Sequence, residues 1–128
     1  MASGNMILAI AGGGAIGAVA RYGVSTVAMK TLGPGFPWGT LTVNAFGSLV
    51  MGLVITWLAA NEPQSSALRA FLTIGVLGAF TTFSTFSLDA VTLYKDRSLM
   101  IAALYVGASL VLSVGGLLLG LLIGKAGT

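Results

Sequence analysis

The sequence contains no cysteine and no histidine, and both absences narrow what the protein can do. Without cysteine there is no disulfide framework and no thiolate metal site. Without histidine the chain lacks the commonest general base and the commonest metal ligand. Only three acidic residues are present, and no nucleophile–base pair is evident in the sequence. The chain is therefore predicted not to be an enzyme.

Charged residues are also scarce, at 7% of the 128 residues, whereas a soluble domain carries about a quarter. The six basic side chains are not clustered as a nucleic-acid footprint requires, so no nucleic-acid partner is expected. Hydrophobic residues make up 56% of the chain, and the mean hydropathy is +1.01. This composition predicts a multi-pass protein of the cell membrane (the inner or plasma membrane), surrounded by the lipid bilayer.

Long apolar stretches, separated by short polar breaks, organise the chain. A membrane-spanning helix needs about 20 largely apolar residues. Four stretches have this length, at about residues 6–29, 38–60, 68–94 and 99–123. No break between them is long enough for another domain, so residues 1–128 are predicted to form a single four-helix transmembrane domain. The expected fold class is an all-α membrane protein.

The third stretch contains an unusual polar segment. From Gly78 to Ser87 the sequence reads Gly-Ala-Phe-Thr-Thr-Phe-Ser-Thr-Phe-Ser, with five hydroxyls, three phenyl rings and no charge. A backbone that unwinds inside a membrane is tolerated only where protein buries it or a cavity wets it. Ion-conducting proteins place their binding groups in such segments. We therefore expect the third helix to be broken near its middle, with an ion pathway beside the break.

Two further polar side chains lie within the predicted spans. Arg21 is well inside the first span, and an intramembrane charge by default indicates function. It continues the helix face of Gly13 and Gly17, which favours a packed interface over an arginine that snorkels to the headgroups. Asn44 supplies an amide in the second span. For Asn44, a functional role and an interhelical hydrogen bond that serves packing alone are equally consistent with the sequence.

The fourth span carries a stripe of hydroxyls. Tyr105, Ser109 and Ser113 recur every four residues and so share one helix face. The hydroxyls, the amide, the guanidinium and the positive edges of the phenyl rings form a donor-rich set that suits a small anion. Carbonyls freed by an unwound turn at residues 78–81 would suit a hard cation such as Na+. These groups predict a small-anion pathway and allow for a structural cation.

Basic residues are divided almost evenly between the two sides of the membrane. With four spans, Arg69 and Lys125 lie on one side, and Lys30, Lys95 and Arg97 lie on the other. A difference this small does not fix the direction of insertion. The chain could therefore insert both ways round and form an antiparallel homodimer about a two-fold axis in the membrane plane.

Three motifs resemble those of the CrcB/Fluc fluoride channels. They are Gly-Ala-x-x-Arg-Tyr (Gly17–Tyr22), Gly-Thr-Leu-Thr-Val-Asn (Gly39–Asn44) and Thr-Thr-Phe-Ser-Thr-Phe-Ser (Thr81–Ser87), and the likeness extends through all four spans. The resemblance implies a fluoride-selective channel that exports F− passively. It also implies a dual-topology homodimer with two antiparallel pores and a central Na+ that has a structural role. One departure is visible, because Ala79-Phe80 stands where the family has Gly-Leu.

The resemblance further implies roles for the matching residues. The fluoride pathway would be lined by two pore phenylalanines, a pore asparagine and a track of hydroxyl residues, which are Phe83, Phe86, Asn44, Ser84, Thr85, Tyr105 and Ser109. Arg21 would stand in an aqueous vestibule. The backbone carbonyls of Gly78 and Thr81 would bind the Na+.

Another class of membrane protein also has four spans and an antiparallel arrangement, namely the proton-coupled exporters of the small multidrug-resistance type. Such an exporter needs a membrane-embedded acid in its first span. The first span here contains no acid, and Asp89 lies in the third. The fluoride channel is therefore the preferred prediction, and the exporter is the alternative.

Overall fold

The computed structural model describes residues 2–127, and every regular element in that range is helical. Three long helices are uninterrupted: α1 (Ala2–Leu32), α2 (Trp38–Ala60) and, last in the chain, α6 (Leu99–Ala126). The third long stretch is composite. It consists of α3 (Ser66–Ala70), a π-helical segment (Phe71–Leu77), α4 (Gly78–Phe80) and α5 (Ser84–Asp96).

Within residues 2–127, four helical stretches are long and apolar enough to cross a membrane, namely Gly4–Leu32, Trp38–Ala60, Ser66–Asp96 and Leu99–Ala126. The prediction of an all-α chain with four long apolar helices is confirmed. In the most apolar window of each stretch, only 11% to 28% of the residues are buried within the chain. Most of the apolar surface therefore faces outward, as expected where lipid or another membrane protein covers it.

Local signals set the helix ends. Helix α1 ends at Leu32, and the next residue, Gly33, has a φ of 83° in the left-handed region that favours glycine. The Gly33 N–H bonds to the Met29 carbonyl at 3.0 Å. The hydroxyls of Ser65 and Ser98 cap α3 and α6 by accepting a backbone N–H three residues later, at 3.0 and 3.1 Å. These caps satisfy N–H groups that the first turn of a helix leaves unpaired.

Helices α2 and α6 meet along a glycine-lined contact, the α2–α6 seam, formed by Gly52, Gly116, Gly120 and Gly124. A Cβ added at Gly52 would lie 2.5 Å from the Leu117 carbonyl oxygen, and one at Gly120 would collide with the Leu49 carbonyl. Only glycine permits backbones to approach this closely, and small residues four apart serve this purpose in membrane helices.

Helix α1 crosses the π-helical segment at a second glycine contact. A Cβ added at Gly13 would lie 2.6 Å from the Phe71 carbonyl oxygen, and one at Gly17 would collide with the Val76 carbonyl. This close crossing brings Arg21, the next residue on that face of α1, to the end of α4.

A small buried cluster holds α5 against α2 and α6. It consists of Leu41, Leu93, Ala102 and Tyr105, with Phe36 and Phe86 packed against it. The cluster contacts α5 at Phe86 in its first turn and at Leu93 near its end.

Candidate functional site

Helical structure in the third stretch is interrupted at residues 81–83. Helix α4 ends at Phe80, Thr81 is extended (φ −88°, ψ 160°), and α5 begins at Ser84. The Thr81 N–H still bonds to the Leu77 carbonyl at 3.1 Å. Backbone groups beyond this point need partners outside the helix, because an unpaired amide or carbonyl in a membrane costs several kcal/mol.

Asn44 of α2 forms two hydrogen bonds with the backbone of Thr82. The Asn44 Nδ2 donates to the Thr82 carbonyl at 2.9 Å, and the Thr82 N–H donates to the Asn44 Oδ1 at 2.7 Å. The carboxamide thus pairs with Thr82 as a residue of a neighbouring strand would. In a continuous α-helix, the Thr82 N–H would bond to the carbonyl four residues earlier, that of Gly78. Asn44 therefore directs this amide away from Gly78.

The Thr82 side chain caps the helix that follows. Its Oγ1 accepts the N–H of Thr85 at 3.1 Å and lies 3.4 Å from the Ser84 Oγ. An N-cap hydroxyl makes the same bond to the third residue of a helix. The Thr85 N–H is consequently directed to this hydroxyl and away from the carbonyl of Thr81.

Arg21 of α1 contacts the same region. Its Nε donates to the Ala79 carbonyl at 3.0 Å, and its side chain is half-buried. A Cβ added at Gly17 would lie 3.0 Å from the Phe80 amide nitrogen, so glycine at this position lets α1 approach α4. The resemblance implies a vestibule position for Arg21, and the observed contact is with the backbone at the end of α4.

Phe83 and Phe86 lie side by side at the start of α5, with ring centroids 5.5 Å apart and an interplanar angle of 46°. Phe83 is 76% exposed, whereas Phe86 is half-buried. The Phe86 ring also meets the Tyr105 ring at 5.4 Å, and Tyr105 packs edge-on against Phe36 at 5.4 Å and 87°. The rings therefore form a row from the interruption to the buried cluster.

A groove of about 300 Å³ opens beside the interruption. It is bounded by α2, the interrupted stretch and α6, and its lining residues are Asn44, Ser48, Gly78, Thr81, Thr82, Phe83, Phe86, Ser109, Leu110 and Ser113. All of these residues are uncharged, and most of them carry a hydroxyl, an amide or a phenyl ring. Hydroxyl and amide donors beside ring edges can surround a small anion without an acid that would repel it.

Ser109 lies in the wall of the groove but buries its hydroxyl. The residue is 4% exposed, its Oγ is covered from solvent, and the Tyr105 hydroxyl lies near it. In this conformation Ser109 therefore shapes the wall of the groove, and its Oγ does not face into it.

Tyr105 is fully buried and directs its hydroxyl to an acid. The phenol donates to the Asp89 Oδ2 at 3.2 Å. Asp89 lines a second, smaller cavity of about 130 Å³ at the end of α1 and the start of α2. Asp89, which the sequence places within the third span, is thus hydrogen-bonded to Tyr105 and does not line the groove.

The groove brings together six of the residues named from the sequence: Asn44, Gly78, Thr81, Phe83, Phe86 and Ser109. The other four lie beside it: Ser84 and Thr85 at the Thr82 hydroxyl, Tyr105 at Asp89, and Arg21 at Ala79. Direct contact of any of these ten with an ion stays a prediction.

Four residues line the groove without having been assigned to the pathway: Ser48, Thr82, Leu110 and Ser113. Ser113 belongs to the hydroxyl stripe of the fourth span, and helical spacing could also have included Ser48, which lies one turn after Asn44. Thr82 is one of the five hydroxyls of the polar segment, with no signal that sets it apart from the others, and Leu110 carries no signal. Their positions depend on the Asn44 contact and on the rotation of α6.

The site offers a cation backbone carbonyl oxygens and no acidic side chain. Between residues 2 and 127, no group of three or more His, Cys, Asp or Glu residues could hold a metal ion. Gly78 and Thr81 line the groove, and the N–H groups that a continuous helix would direct to their carbonyls bond to Asn44 and Thr82. Carbonyl oxygens are ligands that a hard cation prefers. This donor set fits Na+.

Together, the fold and the site define a class of protein: a small four-helix membrane protein with an uncharged, donor-lined groove at an interruption of its third stretch. Comparison with known proteins shows the family. The CrcB-like protein family (Camphor Resistance, CrcB) matches residues 8–121, so the chain belongs to that family. The resemblance seen in the sequence is confirmed.

Curated relatives carry a more specific name. The Fluoride-specific ion channel FluC of Agrobacterium fabrum (strain C58) is 49% identical over 119 residues, which cover 93% of this chain and 95% of that protein. Its namesake in Rhodospirillum centenum is 53% identical over 117 residues, covering 91% and 92% of the two chains. Another, in Caulobacter vibrioides, is 44% identical over 122 residues, covering 94% and 96%. These relatives are named as ion channels and not as enzymes, and the prediction that this chain is not an enzyme is confirmed.

Proposed function

We propose that this protein is a fluoride-selective channel through which F− leaves the cell passively. The observation that carries the proposal is the uncharged, donor-lined groove, whose wall includes the hydroxyl residues Ser48 and Ser113 and the Phe83–Phe86 pair. The names of relatives at 44% to 53% identity support fluoride as the anion.

The groove supplies groups that can replace the water around a small anion. The hydroxyls of Ser113 on α6 and Ser48 on α2 can donate hydrogen bonds, and the edges of the Phe83 and Phe86 rings carry partial positive charge. None of the lining residues is acidic, so no carboxylate repels the anion. We infer that F− passes along this wall from donor to donor.

We further propose that two copies assemble as an antiparallel homodimer with two pores in the inner or plasma membrane. The nearly even distribution of basic residues across the membrane supports this arrangement. Phe83, at 76% exposure in the single chain, is an aromatic surface that a second copy would cover. The carbonyls of Gly78 and Thr81 would hold a central Na+, whose charge would stabilise the interrupted backbone.

Anion flux from liposomes tests the channel function. Proteoliposomes that contain only this protein are loaded with potassium fluoride or potassium chloride, and valinomycin imposes the membrane potential. We expect fluoride to leave and collapse the potential, while chloride stays inside. Equal passage of chloride would disprove fluoride selectivity, and strict coupling of fluoride to protons would favour an exporter over a channel.

Cysteine labelling tests the antiparallel arrangement. The chain has no cysteine, so Glu62→Cys introduces a single reactive thiol in an exposed connection. A membrane-impermeant reagent should label comparable fractions of this variant from the two sides of the membrane. Labelling from one side only would overturn the dual topology and leave the channel function untouched.

A further inference from the structure

Side chains from α1 and α2 bond to two of the backbone carbonyls at the interruption. The Ala79 carbonyl accepts a hydrogen bond from the Arg21 Nε at 3.0 Å, and the Thr82 carbonyl accepts one from the Asn44 Nδ2 at 2.9 Å. Both carbonyls are thereby satisfied by donors from other helices. The residues beside them, Gly78 and Thr81, both line the groove.

The amide hydrogens of this region go to side-chain oxygens. The Thr82 N–H donates to the Asn44 Oδ1 at 2.7 Å, and the Thr85 N–H donates to the Thr82 Oγ1 at 3.1 Å. In a continuous helix these two N–H groups would bond to the carbonyls of Gly78 and Thr81, four residues earlier. Asn44 and Thr82 thus take the two donors that would compete with a cation for those oxygens.

We propose that Asn44 and the Thr82 hydroxyl are positioning residues, which make the carbonyls of Gly78 and Thr81 available to a cation. Asn44 then acts through the backbone of the interruption, since its Oδ1 and one of its Nδ2 hydrogens are engaged with Thr82. The inference rests on the proposed function because it takes Na+ to bind these oxygens. It goes further by assigning the side chains that select them.

Thermal unfolding in the presence and absence of Na+ tests this role independently of conduction. The purified protein is heated in sodium chloride and in choline chloride at equal ionic strength. A ligand that binds only the folded state raises the unfolding temperature, so the parent should unfold at a higher temperature in Na+. Asn44→Leu has similar volume but no amide, and we expect it to lose at least about half of this Na+-dependent shift.

A matched pair at Thr82 provides the second arm. Thr82→Val removes the Oγ1 that accepts the Thr85 N–H, whereas Thr82→Ser keeps a hydroxyl at the same place. We expect the Na+-dependent shift to fall in Thr82→Val and to be restored in Thr82→Ser. Thr42→Val is the control, because it removes an exposed hydroxyl of α2 two residues before Asn44; its shift should equal that of the parent.

The outcomes separate this inference from the channel function. If Asn44→Leu and Thr82→Val keep the full Na+ shift but conduct less fluoride, the inference is overturned and both residues act on the anion. If the parent conducts fluoride without any Na+ shift, the inference fails together with the Na+ site, and the channel stands. Should Asn44→Leu not fold, the Thr82 pair decides: equal shifts in Val and Ser overturn the inference, and unequal shifts support it.

Discussion

Helix α2 makes two close contacts by opposite means. In the α2–α6 seam, the absence of side chains at Gly52 and Gly120 lets two backbones meet. The Thr56 hydroxyl in this seam bonds back to carbonyls of its own helix, at 2.9 and 3.2 Å. At the interruption, by contrast, Asn44 reaches across to the backbone of Thr82.

The difference follows from the state of the facing backbone. A regular helix satisfies its own N–H and C=O groups, so packing against it in a membrane depends on shape and on small residues. An interrupted helix has backbone groups without a partner in the helix, and side chains with matching donors and acceptors can replace the lost bonds. The two contacts should therefore fail in different ways, the seam by loss of folding and the interruption by loss of conduction.

The largest expected effect is in the seam. Gly120→Val places a branched side chain against the Leu49 carbonyl. The atoms around it are backbone atoms of α2, so the two helices must move apart to make room. Overpacking of this kind typically costs about 1–3 kcal/mol or more, which lowers the ratio of folded to unfolded protein at least about five-fold. The yield of folded protein is measured by size-exclusion chromatography of the detergent-solubilised protein, and we expect it to fall.

Gly107→Val on the same helix is the control, because no atom lies within 4 Å of a Cβ added there. It should give the yield of the parent. Similar yields for the two variants would show that α2 and α6 separate readily and that the glycines of the seam are not required.

The next effect concerns conduction without loss of folding. Phe83→Ile and Phe86→Ile keep apolar bulk but remove the ring edge, and volume-conserving swaps usually cost less than about 1.5 kcal/mol. We expect each variant to fold and to conduct fluoride at least about ten-fold more slowly, which corresponds to about 1.4 kcal/mol at the barrier. Fluoride efflux from liposomes measures the rate.

Phe46→Ile is the matched control, since this ring meets Phe80 edge-on at 6.4 Å and does not line the groove. It should conduct like the parent. If all three variants conduct normally, the rings contribute only to packing and the anion follows another path.

The smallest effect is expected on the unfolding temperature, when an ion pair at the surface is removed. Arg69 and Glu62 form an ion pair at 3.9 Å, with side chains 47% and 64% exposed. Pairs of this kind contribute about 0–1 kcal/mol, because water and salt compete for both charges. Glu62→Gln should therefore leave the unfolding temperature nearly unchanged at low and at high salt. A large, salt-sensitive decrease would show that polar contacts at the surface matter as much as those at the interruption.

The sequence allowed the four long helices to be predicted, because apolar length alone determines which stretches can cross a membrane. The polar segment at residues 78–87 was equally visible, since hydroxyls are conspicuous in an apolar stretch. The residues of other helices that contact this segment could not be predicted. The Arg21–Ala79 and Asn44–Thr82 contacts join residues 58 and 38 positions apart, and they depend on how the helices cross and rotate.

The π-helical segment Phe71–Leu77 also had no sequence signal. Its residues are ordinary for an α-helix in a membrane, and the wider turn becomes apparent only where Gly75 meets Gly13. The departure at Phe80 is similar: the ring is accommodated because α2 has a glycine at position 47, where an added Cβ would lie 3.1 Å from the ring. Such complementarity between distant residues is not visible within one stretch of sequence.

Asn44 contacts the main chain of Thr82, so its two hydrogen bonds depend on where residue 82 lies and not on its side chain. An insertion or deletion of one residue between positions 66 and 81 would present a different peptide to Asn44. The connections at residues 33–37 and 61–65 lie outside the long helices, and a change in their length need not move residue 82. Variation in length should therefore accumulate in these connections, while the stretch between the start of α3 and Thr82 keeps a constant number of residues.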